Sequence, residues 1–130
     1  MLWHRFLHQD FIYGYIHKHH HRQKAPSRGN TDAINVHPIE FVVGEYLHLF
    51  TIYMIPCHVY TVIFFIIIGG ILASLNHTRY DIVIPGFFSV KYHDVHHVKF
   101  NYNYAQYTMY WDQLFGTCRD WVSNTNKKAL

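Results

Sequence analysis

The chain has 130 residues, room for one domain. Half of it is hydrophobic and 18% aromatic, while charged residues make up only 15%, well under the roughly 25% of an ordinary soluble domain. A disordered chain is thereby excluded, and a membrane or a large partner surface is implied. Eleven basic residues against eight acidic ones leave a formal charge of +3. The basic residues stand singly among histidines and tyrosines instead of forming a run that tracks phosphates, which argues against nucleic acid as a partner. Thirteen residues are histidine, and the chemistry lies there.

Cys57 and Cys118 stand far apart with no C-x-x-C spacing, so they read as free thiols in a reducing environment. No cleavable signal is legible, because His4, Arg5 and His8 fall where an apolar run would have to be.

The first zone, Met1 to about Arg28, reads as two short amphipathic helical pieces broken at Gly14 and closed by Ala25-Pro26-Ser27-Arg28-Gly29-Asn30. A loop is expected from Gly29 to Val36. Two apolar stretches follow, Ile39–Ile55 and Val59–Leu75, separated by Pro56-Cys57-His58. Their matched length predicts one helical hairpin of about 25 Å, at the short end of what crosses a hydrocarbon core of about 30 Å. The second stretch carries no charge and reads as transmembrane. On the first, His37, Glu40, Gly44 and His48 recur at helical spacing and line one face, with Glu45 placed to pair with His48. The expected fold is therefore all-α: a membrane helical bundle with one transmembrane hairpin, capped by cytosolic helices that bear the histidines.

No Lys or Arg lies between Arg28 and Arg79, so both flanks of the hairpin are expected on the cytosolic side. A hairpin that enters and returns brings the histidines before Gly29 and those after Asn76 to one membrane face. The third zone, His77 to Tyr110, contains a Pro85-Gly86 turn; the fourth is a polar tail.

The pattern H-x-x-H-H occurs at His17-Lys18-His19-His20-His21 and again at His93-Asp94-Val95-His96-His97. On a helix its histidines share a face. With His4 and His8 at i, i+4 and His77 at the end of the second apolar stretch, nine imidazoles can converge: His4, His8, His17, His20, His21, His77, His93, His96 and His97. One ion cannot use nine donors, so two ions with four to five nitrogens each are expected, with a position left open for chemistry. Imidazole suits zinc, copper, iron and nickel alike. His19 falls off the shared face and His58 sits at the hairpin turn; neither is expected to ligate. Each ligand's other ring nitrogen needs a partner to fix its tautomer, and Glu40, Asp81, Asp94 and Asp112 are the carboxylates near the clusters.

These residues resemble the fatty acid hydroxylase and sterol desaturase superfamily, membrane histidine-box di-iron oxygenases. His4-Arg5-Phe6-Leu7-His8 is similar to the first box, Tyr15-Ile16-His17-Lys18-His19-His20-His21 to the second and Tyr92-His93-Asp94-Val95-His96-His97 to the last. His37-Pro38-Ile39-Glu40, Asn76-His77-Thr78-Arg79-Tyr80-Asp81 and Trp111-Asp112-Gln113-Leu114-Phe115-Gly116-Thr117 resemble further signatures. The spacing is most similar to methylsterol monooxygenases, while Asn101-Tyr102-Asn103-Tyr104-Ala105-Gln106-Tyr107 resembles sterol desaturases.

The resemblance implies an endoplasmic-reticulum enzyme with two iron ions held by the nine histidines, with His37, Glu40 and Asp94 orienting them. It would use dioxygen and electrons from NADPH, delivered by a cytochrome b-type carrier or reductase, to hydroxylate or desaturate a sterol or fatty acyl chain. Residues 1–117 form the domain and 118–130 the tail. Such proteins usually carry membrane helices ahead of the first box, so this chain is expected to be a truncated form. Lys127 and Lys128 resemble a dilysine retrieval signal, which needs a cytosolic C-terminus. The competing reading is a non-catalytic relative that holds zinc through the same histidines. A pH switch is disfavoured, since imidazoles so close resist joint protonation.

Overall fold

In the computed structural model, residues 1–22 and 29–121 are described. Helices dominate: α1 (Leu2–Leu7), α2 (Asp10–Tyr13), a 3₁₀ helix His17–Arg22, a second 3₁₀ helix Asn30–Ile34, α3 (Pro38–Met54), α4 (Val59–Leu75), α5 (Val90–Val98) and α6 (Tyr110–Leu114). The first zone thus breaks into three pieces where two were expected. His17–Arg22 winds as a 3₁₀ helix, a run of weak helix formers whose rings are buried in two directions at once. The expected loop Gly29–Val36 also contains a short 3₁₀ helix, entered where Asp32 Oδ2 accepts from the Gly29 N–H at 2.9 Å. The proline-containing link before it, and Lys127 and Lys128 in the tail, lie outside the described residues.

The all-helical expectation needs one correction. Val83–Ile84 (β1) and Phe88–Ser89 (β2) pair antiparallel, Val83 opposite Ser89 and Ile84 opposite Phe88. Pro85 and Gly86 fill the centre of a turn closed by the Phe87 N–H on the Ile84 carbonyl at 3.0 Å. Gly86 sits at φ +73°, the position of this turn that glycine takes without strain.

α3 and α4 are 17 residues each, joined by four. Each starts on a histidine: the ring Nδ1 of His37 accepts from the Ile39 N–H at 3.2 Å, and that of His58 from the Tyr60 N–H at 3.3 Å, so each satisfies one of the donors left over at a helix start. Pro38 takes the first helical position, where its missing N–H costs nothing. The arms meet where the His48 and Phe65 rings lie 6.0 Å apart, and the Asn30–Ile34 helix packs against α4. Glu45 and His48 pair at 4.0 Å, both more than half exposed. No helix among the described residues is long and apolar enough to cross a membrane. The transmembrane expectation is not met by helix length, because Ile55-Pro56 ends α3 after about 25 Å.

Both open ends of this helix pair point at the histidines: Glu40 in the first turn of α3 and His77 just beyond α4 are buried there. The apolar core is small. Leu72, Phe88 and Val90 form its centre, with Ile68, Leu75, Ile82 and Tyr107 against them. The Tyr107 hydroxyl donates to the Gly69 carbonyl at 3.1 Å and the Asn76 amide donates to the Gln106 carbonyl, tying α4 to the segment before α6. Much of the remaining interior is imidazole.

Candidate metal centre

All nine histidines singled out in the sequence gather at one end of the fold, in two adjoining groups. His4, His8, His17, His21 and His96 form one; His20, His77, His93 and His97 form the other. Within each, the candidate donor atoms lie within 4.8 Å of one another. The rings of His21 and His97 stand 4.6 Å apart across the boundary. His96 and His97 have no exposed surface.

Each H-x-x-H-H run feeds both groups. On the 3₁₀ helix, His17 and His21 enter the five-histidine group and His20 the other; on α5, His93 and His97 enter the four-histidine group and His96 the other. The shared face expected for each run is therefore split, and the middle histidine crosses to the neighbouring group. The tighter winding of the first run and the 3.6-residue period of α5 present adjacent rings in different directions.

Hydrogen bonds fix which ring nitrogen carries the proton. His4 Nδ1 donates to the Tyr104 carbonyl at 2.8 Å, His96 Nδ1 to the Tyr102 carbonyl at 2.7 Å and His17 Nδ1 to Glu40 Oε1 at 2.8 Å. A carbonyl oxygen only accepts, and so does the Glu40 carboxylate when ionised, so Nε2 of these rings presents a bare lone pair. Yet His4 Nε2 lies 3.0 Å from His17 Nε2, His17 Nε2 3.0 Å from His21 Nε2, and His8 Nε2 3.1 Å from His96 Nε2. For His4 and His17 both nitrogens are bare, and two lone pairs at 3.0 Å repel unless a cation lies between them. In the second group, His93 Nε2 is 3.2 Å from His77 Nε2 and 3.1 Å from His97 Nε2. A metal–nitrogen bond of about 2.0–2.1 Å puts neighbouring donors about 2.9–3.4 Å apart at octahedral to tetrahedral angles. The spacing fits the edge of a coordination polyhedron, and the residues fit the group that the resemblance implies.

The electrostatics agree. Burial holds His4 and His96 well below the usual imidazole range, with neighbouring histidines adding to the effect. Burial also lowers His8 to about 3 and His17 to about 4, and pushes His21 down further. All five are neutral at pH 7, the form that binds metal.

The expected orienting residues divide. Glu40 holds His17 directly. Asp112, fully buried, acts at one remove: it accepts from the N–H groups of Tyr104 and Ala105 at 3.0 and 2.8 Å and from the Thr117 hydroxyl at 2.6 Å. His37 was expected beside the ligands but caps α3, its Nδ1 spent on the Ile39 N–H. Asp81 pairs instead with Lys91 at 3.1 Å on the surface. Asp94 lies half-buried on α5 between His93 and His96. His19 is exposed and donates to Asn35 Oδ1 at 2.9 Å, outside both groups. Cys57 and Cys118 are free thiols.

Sequence reasoning missed the carbonyls of Tyr102 and Tyr104 and the residue between them, Asn103. Backbone acceptors carry no signature in the residue string; the signal available was an asparagine, which tolerates left-handed backbone, within a segment rich in tyrosine. A cavity of about 490 Å³ opens between the β1–β2 turn and Met109, Tyr110 and Trp121, with none of the nine histidines in its wall.

The profile of the fatty acid hydroxylase family matches residues 1–117, and the chain belongs to that family. It is 32% identical to methylsterol monooxygenase 1 of Rattus norvegicus over 95% of this chain and 44% of that protein. It is also 32% identical to the Delta(7)-sterol 5(6)-desaturase of Leptosphaeria maculans, over 89% of this chain and 32% of that protein. Cholesterol 25-hydroxylase of Rattus norvegicus is 29% identical over 90% of this chain and 42% of that protein. The chain thus spans less than half the length of these relatives. No solved structure matches it.

Proposed function

We propose that the chain is the metal-binding part of an oxygen-dependent oxidoreductase that hydroxylates or desaturates a lipid, a sterol or a fatty acyl chain. The observation that carries this reading is the pair of adjoining imidazole groups, with nitrogens 3.0–3.2 Å apart, at the open end of an apolar helix pair. His4, His8, His17, His21 and His96 would hold one iron and His20, His77, His93 and His97 the other. Bound there, the irons supply the activation of dioxygen needed to attack an unactivated C–H bond. The protein's part is to keep the imidazoles neutral, point Nε2 inward through the Nδ1 hydrogen bonds, and exclude water by burial. The related sterol monooxygenase, desaturase and hydroxylase support a lipid substrate. The resemblance adds electrons from NADPH through a cytochrome b-type carrier.

α3 and α4 would lie in the endoplasmic-reticulum membrane with their open ends on the cytosolic face. Ile39, Phe41, Leu49, Phe50, Phe64 and Ile67 on these helices are each about half to two-thirds exposed, apolar area that a hydrocarbon phase would cover. Embedding a helix pair that enters and returns needs no full crossing, and about 25 Å reaches most of the way through the hydrocarbon.

The test is metal analysis of the purified protein together with oxygen uptake in the presence of reductant. Iron at two per chain with uptake supports the enzyme; zinc without uptake overturns it in favour of a non-catalytic metal binder. In an active form, His96→Ala should abolish turnover while the protein still inserts in membranes, and retained lipid oxidation would count against the assignment.

A further inference from the structure

Two of the three Nδ1 hydrogen bonds that orient the five-histidine group end on one short loop, residues 102–105, the third being that of His17 to Glu40. The Tyr102 carbonyl takes the proton of His96 on α5, and the Tyr104 carbonyl takes that of His4 on α1. Between them Asn103 is the one non-glycine residue at positive φ among the described residues, at 54°. The bend it makes lets two carbonyls two residues apart reach rings from different helices. Left-handed backbone is strained for most side chains and persists where its surroundings over-determine it.

Here they do. Asn103 is fully buried; its amide donates to the Tyr92 carbonyl at 3.0 Å and the Arg119 carbonyl at 2.8 Å, its Oδ1 accepts from the Arg119 N–H at 2.8 Å, and its own N–H donates to the Thr117 carbonyl at 2.9 Å. Asp112 grips the next two N–H groups, those of Tyr104 and Ala105. Every buried polar group of the clamp named here has a partner, the condition under which such a network rigidifies its surroundings.

We propose that Asn103 and Asp112 are positioning residues that together fix the Nδ1–H tautomer and the ring orientation of His4 and His96, and so set the affinity of the five-histidine group selectively. This rests on the metal-binding reading above. The selectivity follows from where the loop touches: the Tyr104 ring lies 5.3–6.2 Å from His4, His8 and His96, all members of that group. A role in stability alone would weaken both groups together.

The experiment is cobalt(II) titration of the purified full chain, followed by absorbance, with bound ions counted by native mass spectrometry and helicity by circular dichroism. Asn103→Ala should weaken one of two ions by on the order of 10–100-fold, the usual effect of losing an outer-shell partner, and leave the other unchanged. Asn103→Gly takes the left-handed backbone without strain but loses the side-chain amide bonds and should fall in between, while Asn101→Ala, exposed just before the loop, should change neither. Asp112→Asn, isosteric, gives the same readout if Asn103→Ala does not fold. Unchanged affinities in the Asn103 variants, or equal loss of both ions with helicity retained, overturn the proposal. A parent chain that binds no second ion would instead bring down the two-ion reading beneath it.

Discussion

Glu40 and His17 meet across 23 positions of sequence, Oε1 accepting from Nδ1–H at 2.8 Å with both side chains nearly or fully buried. The contact locks the first turn of α3 to the histidine-bearing 3₁₀ helix, so the same bond orients a ligand and docks the helix pair. Glu40→Ala should lower metal affinity at the five-histidine group on the order of 10–100-fold, and Glu40→Gln less, since its amide oxygen still accepts. Metal titration of the two variants checks the order; equal losses would show that the charge, not the acceptor, matters.

Adjacent residues should have separable effects. His96 and His97 are neighbours in the chain, but the first belongs to the five-histidine group and the second to the four-histidine group. His96→Ala and His97→Ala should each remove a different ion, and the double variant both, as counted by native mass spectrometry. Identical spectra for the two single variants would refute the split.

Acid should unfold the metal-free chain early. His8 and His17 are lowered to about 3 and about 4, so below the ordinary imidazole value near 6.5 the unfolded chain binds protons that the folded chain refuses. Stability then falls as pH drops, with the loss running from about 6.5 down towards 4. Bound metal should move the transition to lower pH, because protons must displace it first. Urea melts at pH 7.5, 6 and 5, with and without metal, measure both effects. A flat profile in the metal-free protein would mean that the imidazoles are solvated.

The hydrogen bond from Tyr107 to the Gly69 carbonyl gives a pair of opposite signs. Tyr107→Phe removes it and should cost about 0.5–1.5 kcal/mol. Gly69→Ala adds a methyl 3.6 Å from the Tyr107 oxygen, ordinary contact, and should be neutral or stabilising by up to about 1 kcal/mol through helix propensity. Thermal melts in detergent read both.

The spans of α3 and α4 were legible in the sequence because long apolar runs bounded by Pro56 and histidine leave little choice: α4 covers the expected Val59–Leu75, and α3 begins one residue early because Pro38 suits a first turn. The family was legible too, since three histidine runs at fixed spacings are a side-chain signal. Three features were not. The 3₁₀ winding of His17–Arg22 is decided by burial on two sides, which local periodicity does not encode. His37 reads like a ligand's companion by residue type, whereas its position before Pro38 makes it a cap. The acceptors for His4 and His96 are main-chain oxygens, identical at every position of the string, and only Asn103's left-handed backbone aims them.

The crossing of the two histidine runs has a genetic corollary. Because His17–His21 and His93–His97 each serve both pockets, deleting either segment strips donors from the pair at once, whereas loss of His4 and His8, or of His77, would empty one pocket and spare the other.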